Sequence, residues 1–249
     1  MTKIIAFANH KGGCGKSCSV ASVGACLASK VCKTLLVDLD GQSNLTSCYL
    51  PDDDSERGSI YDSIINGEPL PIITIAKNLD IIPSSLEMAG AEIALTNVIA
   101  REQVLSHSLE NVREAYDYIL IDCPPSLGIV TTNAILAATD VLVPMTPELL
   151  PLKGMSMLDN YIESLKVVKR DIHISGVFIT RYNNRKLNKV VDSVVHDRYT
   201  SIAFNTKIRE NIALAECPGS KCSIFEYSPA SNGAKDYADL TEEIINRIK

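Results

Sequence analysis

Residues 4–17 read Ile4-Ile5-Ala6-Phe7-Ala8-Asn9-His10-Lys11-Gly12-Gly13-Cys14-Gly15-Lys16-Ser17, and the rest of the chain is organised around them. The apolar run 4–8 has the length and composition of a buried strand, and the small residues of 19–28 read as a helix. A glycine-rich turn between a strand and a helix is the context in which such a turn binds phosphate. Glycines let the backbone bend sharply and come close to an anion. The loop amides of Gly12, Gly13, Cys14 and Gly15, with those of Lys16, Ser17 and Cys18 at the helix start, then point partial positive charge at phosphate oxygens. Lys16 is placed to reach the β- and γ-phosphates, and the Ser17 hydroxyl to ligate Mg2+.

The usual spacing of a phosphate loop puts a glycine five residues before Gly15; here that position is His10, and a second lysine, Lys11, opens the loop. Two later strands end in acids. One, over 34–37, runs into Asp38-Leu39-Asp40-Gly41-Gln42-Ser43-Asn44, and another, over 116–121, runs into Asp122-Cys123-Pro124-Pro125. Acids at the carboxyl ends of parallel strands sit at the ligand edge of an α/β sheet, where Asp122 is placed to hold Mg2+ directly or through water.

The K-G-G-x-G-K-S loop with these two acidic strand ends resembles the deviant Walker A ATPases of the ParA/MinD family, and most closely the small Soj-like branch. The likeness runs nearly the whole chain, through "IIPSSLEMAGAE", "PPSLG", "TTNAI" and "TRYN". It implies a P-loop α/β fold, a mostly parallel twisted sheet with helices on both faces, as one domain over 1–249. It also implies hydrolysis of ATP with Mg2+ in an ATP-dependent homodimer. In that comparison Lys11 crosses the dimer interface to the partner's nucleotide and acts with Lys16 on phosphate charge. Asp40 positions the attacking water, Asp38 acts through water near Mg2+, and Asn183 faces adenine. Glu148, Leu152 and Gly154 follow the pattern "E..L.G", read as interface or packing. The chain departs from the family pattern D-x-D-P-Q-G-N at Gly41 and Ser43, which bears on the stiffness of that loop.

Formal net charge is −6, which excludes a protein basic all over but not a local basic patch. Residues 181–221 hold eight basic and four acidic residues, a net +4, leaving −10 for the rest. By resemblance Arg185 holds DNA without regard to sequence, with Lys186 and Lys189 beside it by helical spacing. The implied job is partition of a chromosome, plasmid or mobile element, with a ParB-like protein as stimulating partner. The alternative is a MinD-like membrane switch, or a relative that positions another cargo. A small-molecule ligase on the same scaffold is a further rival.

Other features carry less chemistry. The eight cysteines form no C-x-x-C pair and read as small apolar residues of a reducing compartment. The start of the chain has no signal-peptide pattern, which fits a cytoplasmic protein, on the nucleoid when ATP-bound. Asp52, Asp53 and Asp54 read as a solvated loop, and 59–65 as a short helix closed by Asn66-Gly67. Ser84 and Ser85 read as caps of a helix running to residue 98. The one-sided apolar spacing of Tyr237, Leu240, Ile244, Ile245 and Ile248, with acids opposite, reads as a core-facing helix, so no stable membrane binding is expected.

Overall fold

The computed structural model describes residues 2–51, 57–148 and 151–248, and the side chains of 151–154 are not among those described. The acidic run 52–54 and the side-chain calls at Leu152 and Gly154 lie outside the described residues. Among the described residues seven strands form one sheet: β1 Lys3–Phe7, β2 Thr34–Asp38, β3 Ile73–Ala76, β4 Leu79–Ile82, β5 Tyr118–Asp122, β6 Asp140–Met145 and β7 Ile174–Ile179. Their order is β3-β4-β2-β5-β1-β6-β7. Every pairing is parallel except β3 with β4.

Alternation along the strands explains the two covered faces. Ile4, Ala6, Leu35, Val37, Ile119, Ile121, Val141 and Val143 join one buried cluster. Their neighbours Ile5, Phe7, Leu36, Leu120, Leu142 and Phe178 join another on the opposite face. A strand buried on both sides reads as a continuous apolar run, which is how these strands read. Helices α1 Lys16–Ser29, α2 Asn44–Ser47, α3 Ala91–Ala94, α4 Val104–Glu110, α5 Ile129–Ala137 and α6 Pro151–Leu165 follow in order. After them come α7 Lys186–Arg198, α8 Ile212–Glu216, α9 Ile224–Tyr227 and α10 Asn232–Arg247. On α10, Tyr237, Leu240 and Ile244 are buried in the same cluster as Val20, Val23 and Leu27 of α1, so its apolar stripe faces the core as its spacing implies. No helix among the described residues is long and apolar enough to cross a membrane.

Two local readings are corrected. The helix expected through Glu87 to Val98 is broken into a 3-10 turn at Leu86–Gly90, the short α3, and a second 3-10 turn at Leu95–Asn97. Ser84 and Ser85 do not cap it: the Ser84 hydroxyl donates to the Asp40 carbonyl at 2.8 Å and the Ser85 hydroxyl to Ser59 Oγ at 3.1 Å. Their hydroxyls fasten neighbouring loops instead. The short edge strand β3 alternates between half-buried and exposed residues and so has no apolar run that marks it in the sequence.

Candidate nucleotide site

The register of the sheet assembles the site. Phe7 of β1 and Asp38 of β2 both lie beside Asp122 of β5, so the phosphate loop and both acidic strand ends emerge at one edge. Asn9 Nδ2 donates to the Pro144 carbonyl at 2.7 Å, and Asn9 Oδ1 accepts from the Lys11 amide at 3.0 Å. Across the loop the Thr180 hydroxyl donates to the Cys14 carbonyl at 2.8 Å. The loop is therefore braced from β6 and β7, and neither Asn9 nor Thr180 was singled out from the sequence. Gly13 and Gly15 take φ of 71° and 86°, a left-handed region that side chains avoid. From below, Ser19 Oγ donates to the Gly15 carbonyl and lies 3.0 Å from the Tyr237 hydroxyl, tying α10 to the base of the loop.

The two lysines are placed differently. Lys16 is buried, and its Nζ donates to the Lys11 carbonyl at 3.3 Å, inside the loop. Lys11 points outward: its Nζ meets Glu148 Oε2 at 2.5 Å and Thr146 Oγ1 at 3.3 Å. Contact with that ammonium holds the Glu148 carboxyl below its ordinary range.

Asp122 is fully buried, and among the described residues neither of its oxygens has a hydrogen-bond donor in bonding geometry. Burial, then the nearby Asp38, pushes its carboxyl well up, while the Ser17 hydroxyl and the Lys16 charge pull it back. A buried carboxylate with two open oxygens beside a serine hydroxyl is a hard oxygen donor set, and it fits Mg2+. Asp38 is engaged otherwise. Its oxygens accept from the Asp40 amide, the Thr46 amide and the Thr46 hydroxyl at 3.1, 2.8 and 2.7 Å. Burial raises it to about 6 against the pull of those bonds. Asp38 thus anchors the loop that carries Asp40, which is half-buried and whose Oδ1 accepts only from the Gln42 amide among the bonds resolved.

The loop's two departures have structural readings. A Cβ at Gly41 would stand 2.7 Å from the Ala89 nitrogen, so the 86–90 turn packs where a proline ring would collide. Ser43 has φ of 51° in the position where the family pattern has glycine, and carries the strain that glycine avoids.

A cavity of about 480 Å³ opens beside Gly12, Gly13 and Gly15–Cys18, walled by Asp40, Tyr49, Pro125, Arg181 and the 214–224 segment. Asn183 is not on its wall. Its side chain accepts from Asn188 Nδ2 at 2.6 Å and the Arg185 amide at 3.2 Å, and donates to Glu210 at 3.3 Å. Asn183 shapes the turn into α7, and Arg181, at φ 51°, is its near neighbour that lines the cavity. Asn133 is buried and holds the start of α4, accepting from the Leu105 amide at 3.1 Å.

A mostly parallel sheet whose first strand delivers a two-lysine phosphate loop to a buried aspartate with no hydrogen-bond partner among the described residues defines a P-loop ATPase of the deviant Walker A class. A family model described as an AAA domain matches residues 2–174. The chain is 39% identical over 98% of both chains to the sporulation initiation inhibitor protein Soj of Bacillus subtilis, and 37% identical over 99% of this chain and 98% of the other to the chromosome-partitioning ATPase Soj of Treponema pallidum. The chain belongs to the ParA/MinD family, in its Soj-like branch. Among solved structures it is similar to a plasmid partition protein of Borrelia burgdorferi bound to AMPPNP, with TM-score 0.84 and 26% identity over all of both chains. It is also similar to a cobyrinic acid a,c-diamide synthase of Mycobacterium smegmatis bound to ADP and magnesium, with TM-score 0.86 and 29% identity over 99% of this chain and 95% of the other.

Proposed function

We propose that this ATPase is a partition protein whose ATP-bound dimer holds DNA of any sequence and whose hydrolysis a ParB-like protein stimulates in the cytoplasm. The observation that carries the reading is the start of α7. Arg185, Lys186 and Lys189 are exposed there and make no ion pair among the described residues. Other basic residues of the same stretch are occupied: Lys207 pairs with Asp192, Arg209 with Asp236 and Arg198 with Asp159. The patch also lies over a helix N-terminus of a 13-residue helix, whose free amides favour phosphate. Its position supports coupling to nucleotide, since only the four residues 181–184 separate Thr180, which braces the phosphate loop, from Arg185.

In this reading ATP lies on the loop, with Lys16 against the β- and γ-phosphates and Lys11 reaching the partner's nucleotide. Ser17 and Asp122 would hold Mg2+, which would neutralise phosphate charge when bound, and Asp38 would support them at one remove. Asp40 orients the attacking water. The reaction needs positioning and charge neutralisation rather than covalent help.

The test is a gel-shift titration with ATP at several salt concentrations. Each phosphate contact adds about 0.9 to the slope of log affinity against log salt. Arg185→Ala is expected to weaken binding to duplexes of any sequence and to flatten that slope, with ATP affinity kept. If the wild-type protein with ATP ignores DNA at low salt, the partition reading fails, and another cargo or a small-molecule ligation like that of the cobyrinic acid synthase takes its place.

A further inference from the structure

Four of the eight cysteines, Cys18, Cys48, Cys217 and Cys222, line a single cavity, the one described above beside the phosphate loop. They come from three separate stretches of chain, the start of α1, the end of α2 and the 217–222 turn, so local sequence does not bring them together. Among the described residues no three of them are arranged to hold a metal ion. Cys217 begins a 3-10 turn over Cys217–Ser220, and Lys221 at φ 51° then reverses the chain, with its amide donating to the Pro218 carbonyl at 3.2 Å. That reversal returns Cys222 to the same wall as Cys217. Cys217 is buried and Cys222 half-buried, an accessible thiol backed by a sheltered one. The turn is also fastened to the switch side of the site, because Lys221 Nζ donates to the Ser47 carbonyl at 2.9 Å, one residue before Cys48.

We propose that Cys222 and Cys217 form an exchange site for small disulfides entering through the nucleotide cavity, and that oxidation of this pair closes the cavity to ATP. The inference rests on the nucleotide site alone and is independent of DNA binding. Cys222 as thiolate attacks one sulfur of the small disulfide, whose S–S bond breaks and releases one small thiolate. Cys217 as thiolate then attacks the Cys222 sulfur and releases the second. The two protein protons end on the two small thiols, and the protein's two electrons reduce the small disulfide. Burial pushes both thiols up, Cys217 to about 11, so exchange quickens about tenfold per pH unit through the neutral range.

Full-length protein incubated with oxidised glutathione at mildly alkaline pH, with and without ATP and Mg2+, tests this by mass spectrometry. Cys32 is the internal reference, since it is half-buried and lies outside the cavity. The expected result is a Cys217–Cys222 disulfide that forms faster than Cys32 is modified, is slowed by ATP, lowers ATP affinity and is reversed by a reducing thiol. Cys217→Ser is expected to stop at the mixed disulfide on Cys222, and Cys222→Ser to give neither product, each judged against its own untreated sample. Faster reaction at Cys32, no protection by ATP, or a disulfide that leaves ATP affinity unchanged would each overturn the proposal. Failure to bind ATP before treatment would instead count against the nucleotide site itself.

Discussion

In the proposed dimer Lys11 reaches the partner's nucleotide and must first release Glu148 of its own chain, so removing the clasp should favour that dimer. The contact is 2.5 Å between groups whose side chains are 40% and 55% exposed. An ion pair this open is screened by water and is worth about 0.2–1 kcal/mol. A dimer releases two such clasps, so Glu148→Gln is expected to strengthen ATP-dependent dimerisation by about 0.4–2 kcal/mol, or roughly 2-fold to 30-fold. Light scattering across a concentration series, with a non-hydrolysed ATP analogue, reads this directly. The gain should shrink as salt rises, because wild-type clasps are then already weakened. Lys11→Ala should weaken the dimer, and adding Glu148→Gln to it should bring no further gain, since the two residues act as one pair. A dimerisation constant that stays within twofold of wild type in Glu148→Gln at low salt refutes the competition.

Lys16→Ala should abolish tight ATP binding, measured by titration calorimetry, because the loop loses the buried ammonium that meets the phosphates. Thr180→Val leaves the Cys14 carbonyl without the hydroxyl that braces it, which should cost about 1–3 kcal/mol of stability and weaken ATP binding; thermal denaturation and an ATP titration check both. Val31→Gly should do the opposite to stability. Val31 is a 75% exposed β-branched residue at φ 67° just past α1, with the Val31 and Cys32 amides closing the helix end on Ala28 and Leu27. Relief of about 1–2 kcal/mol of left-handed strain, less about 0.5–1 for the freedom glycine has when unfolded, leaves up to about 1.5 kcal/mol and should raise the melting midpoint by up to about 6 °C with ATP affinity unchanged.

The fold was legible where one residue type has one physical use. Alternating burial on both faces made β1, β2, β5 and β6 continuous apolar runs, and the acids ending β2 and β5 marked the ligand edge. The phosphate loop was legible for the same reason, since its glycines and lysines have few other uses in that order. What the sequence hid were polar residues whose role depends on distant carbonyls. Asn9 and Thr180 brace the loop from partners 135 and 166 residues away, and no local pattern encodes that. Ser84 had the form of a cap, but a carbonyl 44 residues away claims its hydroxyl. The clustering of Cys18, Cys48, Cys217 and Cys222 is likewise a product of packing between α1, α2 and the 217–222 turn.

The central claim is that this edge of the sheet hydrolyses ATP by orienting water from Asp40, on a loop that Asp38 and Ser84 hold in place. The most direct measurement is ATP turnover by Asp40→Ala, made beside its ATP affinity and its dimer population. Retained ATP binding, a persistent ATP-bound dimer and turnover lowered by about 100-fold or more, the scale of a lost catalytic contact, are the expected results. Turnover at the wild-type rate in Asp40→Ala would contradict the mechanism.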